Sequence, residues 1–227
     1  MNTIYFDIET IPSQLPGVLD EFKAAVTAPG TYKKPESIAE WLRENRDSEG
    51  EAAWLKTSFD GGMGHVVCIG LAVQDGPAVS YQLPADGYCT NLRNEETRVL
   101  QDFFSHLTDA GHSVLVGHNI IGFDLPFLWK RCMVLGVKPP LWFPRNPSKY
   151  SSEMVRDTMN LWDMEQRAGG SMDRICRLLG IPGKGDVSGA DVWPMVKAGD
   201  VEAVAAYCRG DVERTRAMFK RMTFADA

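Results

Sequence analysis

Apolar and polar positions alternate at the start of the chain. Over Asn2–Glu9, Ile4, Phe6 and Ile8 fall on one face of an extended segment, and Tyr5, Asp7 and Glu9 on the other, which is the period of a strand. Residues 14–63 break that pattern. They are polar and Pro-spaced, with a helical stripe over Pro35–Lys56 in which Ile38, Trp41, Leu42 and Trp54 share one side, and they read as a long insertion ended by Gly61-Gly62. Val66–Val73 and Ala78–Leu83 then predict a hairpin around Asp75-Gly76-Pro77. A helix is predicted over Glu95–Leu107, with Asn94 as its N-cap and Val99, Leu100, Phe103, Phe104 and Leu107 at helical spacing. Ser113–Gly117 reads as a buried strand. The next helix runs over Leu125–Leu135, with Pro126 in its first turn and Gly136 past its end. After a Pro-rich loop at 137–152 come a short strand near Met154–Met159, a helix after the cap Ser171, a Gly-rich loop at 180–189 and a closing helix over Val201–Met222. Strands first, then alternating helices and strands, predict one α/β domain over 1–227: a mixed central sheet, three antiparallel strands then parallel ones, flanked by helices.

Composition narrows the class. A chain of 227 residues that is 44% hydrophobic and 24% charged is neither disordered, collagen-like nor a coiled coil. Its longest apolar run, Val66–Val73, is far short of the ~20 residues a membrane helix needs. No basic region and apolar core precede a cleavage site, and the five cysteines form no CxxC pair, so a reducing cytoplasm without membrane association is expected. A net charge of −6 argues against bulk electrostatic binding of duplex nucleic acid. It leaves room for a nuclease, whose metal site is made of acids.

Three acidic patterns stand out. Asp7-Ile8-Glu9 puts two carboxylates on one face of the first strand. Gly117-His118-Asn119-Ile120-Ile121-Gly122-Phe123-Asp124 runs from a strand end into a helix start, where Asn119 and Phe123 beside an acid suit a cleft holding a nucleotide. Tyr207-Cys208-Arg209-Gly210-Asp211 puts a phenol and a carboxylate on one helical face, at i and i+4. Each alone has a plainer explanation: a solvated strand face, a helix N-cap, a buried tyrosine beside a solvated acid.

Together, and in this order, the patterns resemble the DEDD exonuclease superfamily in its tyrosine subgroup, above all predicted 3′–5′ exonucleases akin to the proofreading domain of family B DNA polymerases. Tyr32-Lys33-Lys34-Pro35, Val66-Val67-Cys68-Ile69-Gly70-Leu71-Ala72 and Leu179-Gly180-Ile181-Pro182-Gly183-Lys184-Gly185-Asp186 extend the likeness over nearly the whole chain. The resemblance implies a ribonuclease H-like fold and a site holding two Mg²⁺ or Mn²⁺ ions. It implies that Asp7 bridges both ions, that Glu9 and Asp211 complete the site of the water-bearing one, and that Asp124 holds the second. Tyr207 would orient the attacking water, and Thr10, Asn119 and Phe123 would contact substrate. The expected partner is the 3′ end of single-stranded nucleic acid, DNA in preference to RNA. No polymerase region follows before Ala227, so a stand-alone nuclease is expected.

The chemistry is consistent with that set. Hydrolysing a phosphodiester needs an activated water and charge stabilisation on two oxygens, which a pair of hard divalent ions on carboxylates supplies. Four crowded carboxylates repel in a partly dry cleft, and two such ions would cancel them. For substrate grip, Leu125–Ser152 contains no acid but carries Lys130, Arg131, Lys138, Arg145 and Lys149 among Phe127, Trp129, Trp142, Phe143 and Tyr150. Up to Leu135 these read as core aromatics and a solvated basic rim; over Trp142–Tyr150 they read as substrate contacts. Gly183-Lys184-Gly185-Asp186 is not a Walker loop, since no Ser or Thr follows the lysine at the required place, and reads as a flexible connection that could touch phosphate. Asp157 is either an acid near the site or a strand-end cap, and His118 reads as a satisfied structural histidine. The alternatives are an exoribonuclease and a non-catalytic nucleic-acid-binding domain of the same fold. A dinucleotide-binding oxidoreductase fails because the first strand leads to acids, not to a glycine-rich turn.

Overall fold

In the computed structural model, which describes residues 1–145, 153–164, 170–183, 185 and 187–225, the opening alternation forms strand β1 (Asn2–Ile11). β2 (His65–Val73) pairs antiparallel with it, and β3 (Val79–Gln82) antiparallel with β2. On the other side of β1, β4 (Ser113–Gly117) runs parallel, and β5 (Val155–Asp157) runs parallel to β4, so the order is β3-β2-β1-β4-β5. This is the mixed sheet expected, with the register of β1 as its alternation requires.

Helices cover both faces. Between β1 and β2 lie α1 (Val18–Ala24), α2 (Pro35–Leu55) and a 3-10 turn at Lys56–Phe59. Between β3 and β5 come α3 (Gly87–Thr90), α4 (Leu92–Ala110) and α5 (Asp124–Leu135). After β5 follow α6 (Thr158–Asp163), α7 (Met172–Leu179), a 3-10 turn at Gly189–Asp191, α8 (Val192–Lys197) and α9 (Val201–Met222). Ile4, Phe6 and Ile8 enter the core shared with α4, where Phe6 and Phe103 have ring centroids 5.5 Å apart. Tyr5 packs on the opposite face with Val116 and Val212, its ring 6.0 Å from that of Phe219 on α9. Burying each such side chain contributes about 1.5–3 kcal/mol. No helix among the described residues is long and apolar enough to cross a membrane.

Several local expectations shift. α4 starts at Leu92, so Asn94 lies in its first turn and not at its cap. Of the α2 stripe only Trp54 is buried; Ile38, Trp41 and Leu42 are half-buried, because α2 packs mainly on the short α1. Ser171 caps α7 as expected, accepting from the Arg174 N–H at 3.4 Å. The short helices α1, α3, α6 and α8 carry too few periodic positions to be read from sequence.

Arg131 leaves the solvated rim assigned to it. It is 2% exposed, and its guanidinium donates to both oxygens of the fully buried Glu96, at 2.7 and 2.6 Å. Glu96 also accepts from the Val66 N–H at 2.8 Å and bonds His65 Nδ1 at 3.0 Å. This ion pair joins α4, α5 and β2. Burial by itself drives the Glu96 carboxyl up, but the bonds from His65 and Arg131, with the guanidinium charge, outweigh it and hold the group below its ordinary range.

The aromatics of the following loop also turn inward. Phe143 is buried between Phe104 and Trp129, Trp142 packs at the core margin, and Arg145 stacks on Trp129 at 4.9 Å. Of the described part of Trp142–Tyr150, Phe143 fills the core instead of facing a strand, Trp142 lies half-buried beside it and Arg145 stays exposed; Lys149 and Tyr150 lie outside the described residues, as do Lys184 and Asp186.

Candidate active site

The parallel ladder between β1 and β4 is short. It pairs Asn2–Tyr5 with Ser113–Val116, and β1 then continues to Ile11 while β4 ends at Gly117. The second half of β1 is left with one edge facing the turn into α5. Asp124, the first residue of α5, fills that edge, its carboxylate accepting a backbone hydrogen bond from Ile8, between Asp7 and Glu9. A crevice where neighbouring parallel strands part is a common place for a site.

A cavity of about 480 Å³ opens there, and Asp7, Glu9, Asp124, Tyr207 and Asp211 all line it. Thr10 and Phe123 line it too. Asn119 does not join them. It takes a left-handed turn at φ 61°, gives its N–H to Asp157 at 2.9 Å, and folds its side chain back over Gly122. The hydroxyl of Thr10 is committed to the Ser58 carbonyl at 2.7 Å. Between Glu9 and Thr10 the register with β2 slips by a bulge, which turns the strand end within the cavity wall.

A glycine decides how near α9 comes. Gly70 pairs with Asp7 across the ladder, and a Cβ at Gly70 would lie 3.0 Å from Cys208 Sγ and 3.1 Å from Val212 Cγ2. With hydrogen there instead, α9 settles directly on the sheet through Cys208, which brings the adjoining face carrying Tyr207 and Asp211 to the cavity. Neither Gly70 nor Cys208 has a chemical signature of its own in the sequence, beyond its place in a longer motif.

The electrostatics separate the acids. Ligand atoms of Asp7, Glu9 and Cys208 lie within 4.8 Å of one another, a grouping that neither Asp124 nor Asp211 joins. The thiol donates to the Asp7 carbonyl at 3.4 Å and to its carboxylate at 3.7 Å. Burial, then Cys68, then the charges of Asp7 and Glu9 raise the Cys208 thiol well above its usual range. It therefore stays protonated and supports the carboxylates as a donor. Asp124 is 2% exposed, and among the described residues no basic side chain pairs with it. Burial pushes its carboxyl up to about 7, the charge of Asp157 adding to the effect and the N–H groups of Asp124 and Ile8 opposing it. Asp211, also 2% exposed, accepts from Arg214 at 2.8 Å, and Arg214 in turn holds the Gly183 carbonyl at 3.1 Å. Arg214 lies one turn beyond Asp211 and could have been found by that spacing.

This donor set fits a hard divalent cation: oxygen ligands from three separate elements, a protonated thiol that does not compete, and a buried carboxyl whose ionisation burial holds back for want of positive charge. His118 lines the cavity but has both ring nitrogens engaged, with Thr158 Oγ1 at 3.0 Å and, as donor, with the Gly170 carbonyl at 3.1 Å. Asp157 caps α6 and binds the turn after β4, accepting from the N–H groups of Met159, Asn119 and Ile121. The cap reading of that acid therefore matches its geometry. Sequence reading missed the far wall altogether: Ala190 and Trp193 ahead of and on α8, and Lys56, Ser58 and Phe59 after α2.

The model of a family described as "predicted 3′-5′ exonuclease related to the exonuclease domain of PolB" matches residues 64–227. Asp124, Tyr207 and Asp211 fall inside that range; Asp7 and Glu9 fall before it. Among solved structures, the family B DNA polymerase from the hyperthermophilic archaeon Pyrobaculum calidifontis is similar at TM-score 0.59 and 18% identity, over 99% of this chain and 24% of that one. The chain thus spans about a quarter of the polymerase's length, and the likeness is one of fold: an α/β, ribonuclease H-like mixed sheet flanked by helices. No curated protein matches the chain.

Proposed function

The chain belongs to the family of predicted 3′–5′ exonucleases related to the exonuclease domain of PolB, and from that premise we propose that it is a metal-dependent exonuclease trimming the 3′ ends of single-stranded nucleic acid, DNA in preference to RNA. The observation that carries this reading is the arrival of four acids and a tyrosine at one cavity wall from β1, the start of α5 and α9. The preference for DNA leans on the family's kinship with a DNA polymerase domain. In this reading residues 1–227 act as one exonuclease domain, with 14–63 as its insertion, in a reducing cytoplasm that suits its free cysteines.

Exonuclease domains of this kind generally use divalent metals. Asp7, Glu9, Asp124 and Asp211 would hold two Mg²⁺ or Mn²⁺ ions, which when bound acidify water and neutralise charge building on the phosphate. The chain's own groups do the rest. Tyr207 positions the attacking water by hydrogen bonding, because a phenol that ionises near pH ~10 is a poor base at neutrality. The water oxygen bonds to phosphorus as the bond to the 3′ oxygen of the preceding nucleotide breaks, and that oxygen leaves with a proton. Phe123 offers its ring to the terminal base, and Arg214 keeps Asp211 aimed while the strand is exchanged. Asp124 releases its proton as positive charge enters the cavity.

Digestion of 5′-labelled single strands of DNA and RNA, with Mg²⁺, Mn²⁺ or EDTA, tests the proposal. Stepwise shortening from the 3′ end is expected, faster on DNA, abolished by EDTA and lost in Asp7→Ala. Equal digestion by wild type and Asp7→Ala, or none by wild type with any metal, would overturn it. Binding without cleavage would mark a non-catalytic nucleic-acid-binding domain instead.

A further inference from the structure

We infer that the 3-10 turn Lys56–Phe59, from the segment between β1 and β2, is a second substrate platform: Phe59 stacks the base next to the terminal one, and Lys56 takes a backbone phosphate. The inference rests on the exonuclease reading above and deepens it. It concerns residues outside the matched range 64–227.

Three observations converge on this turn. First, it lines the cavity together with the acids, through Lys56, Ser58 and Phe59. Second, it is held rigidly. Thr57 is buried, its hydroxyl donating to the Trp54 carbonyl at 2.6 Å and accepting from the Ser13 N–H at 2.8 Å, while the Trp54 indole donates to the Ser13 carbonyl at 2.8 Å. Thr10, next to Glu9, anchors the Ser58 carbonyl. A Cβ on Gly64 would come within 2.5 Å of the Thr57 carbonyl and 3.0 Å of that of Ile11, so the turn is pressed onto the end of β1. The platform and the acids of β1 therefore keep a fixed relation, which a group positioning substrate requires.

Third, the side chains are left for something else to cover. Phe59 is 72% exposed, although its ring meets Phe123 edge-on at 6.2 Å and Phe123 meets Phe127 at 5.5 Å. The three rings form a row from the core to the cavity mouth, with Phe123 next to Asp124 and Phe59 outermost. Lys130 is tied to Asp60 at 2.5 Å, whereas Lys56 is exposed and in no ion pair among the described residues. An exposed aromatic face with an adjacent cation is the combination that holds a single strand, bases on rings and phosphates on charges.

The test compares wild type, Phe59→Ala, Phe59→Trp and Lys56→Gln in the full chain, on a single-stranded DNA and on a thymidine 5′-monophosphate nitrophenyl ester. For Phe59→Ala, KM for the strand should rise about tenfold, and the ratio of strand to ester efficiency should fall by a similar factor; Phe59→Trp should restore both. For Lys56→Gln, the slope of log affinity against log salt should fall by about 0.7, the value for one phosphate on a single strand. Unchanged strand KM in Phe59→Ala, or equal losses on strand and ester, would overturn the inference. If wild type cleaves neither substrate, the exonuclease reading has failed, and strand binding by fluorescence anisotropy in EDTA decides this one separately. About tenfold weaker binding by Phe59→Ala then sustains the platform, and unchanged binding ends it.

Discussion

Glu96 and Asp124 are carboxyls buried to nearly the same degree, 0% and 2% exposed, under opposite electrostatic conditions. Glu96 receives a bidentate guanidinium, an imidazole nitrogen and a backbone N–H, and is held ionised. Among the described residues Asp124 receives backbone N–H groups and no basic side chain, faces the charge of Asp157, and has its carboxyl pushed up to about 7. The protein thus completes one buried acid internally, and on the proposed reading a metal completes the other. Burial of an acid does not by itself mark a function; in the proposed reading it is the buried acid left without a cation, beside Asp7 and Glu9 in an open cavity, that serves the chemistry.

The strongest way to break this contrast is to make Glu96 resemble Asp124. Arg131→Met should destabilise the protein by about 3–5 kcal/mol, because it strands a buried charge. For a chain of this size that is a fall in Tm of roughly 6–20 °C, read by scanning calorimetry. Asp124→Asn, which keeps the volume and removes the acid, should leave the Tm of metal-free protein within a few degrees at pH 5, where the folded carboxyl is protonated. A larger loss in Asp124→Asn than in Arg131→Met would mean that the two sites have been assigned the wrong way round.

Gly70→Val asks whether the carboxylate site depends on the close approach of α9. The added atoms meet Cys208 and Val212 and should shift Asp211 and Tyr207 away from Asp7. Activity on single strands should fall about 100-fold for a displacement of roughly 1 Å, with about 1–3 kcal/mol of lost stability. The Glu96 network, on the other side of β2, should keep its geometry, which a crystal structure of the variant would show.

How much of this was legible beforehand follows from what each residue's signal depends on. Asp7 and Glu9 were readable from a period of two, and Tyr207 with Asp211 from a spacing of four, since these are local repeats. Asp124 was readable only in company, because a helix start explains it alone. The order of strands likewise gave away the mixed sheet. What escaped depends on contacts distant in the chain. Arg131 looked like part of a basic rim because its partner Glu96 lies 35 residues earlier. Gly70 matters through the backbone of α9, and Lys56 and Phe59 sit on a turn with no period to betray it. Phe143 reads as available in a Pro-rich loop and instead fills the core, with Trp142 half-buried at its margin.

The gentlest discrimination is by pH, on metal-free protein. A carboxyl raised to about 7 when folded contributes stability that is complete below its unfolded value of 3.8 and fades as pH rises toward 7. Glu96, lowered, does the reverse: its contribution stands above its unfolded value of 4.5 and is lost as pH falls through the folded one. Urea unfolding in EDTA at pH 5 and pH 8 should therefore show a downward step in stability that Asp124→Asn removes. An unchanged step in that variant would assign it to other groups.

Calorimetric titration of Mn²⁺ into metal-free protein at pH 6, run in two buffers of different protonation enthalpy, addresses the completion of these acids by cations most directly. The account predicts saturable uptake that releases about one proton per chain, from Asp124, and that disappears in Asp7→Asn. No uptake by wild type, or the same uptake by Asp7→Asn, would contradict it.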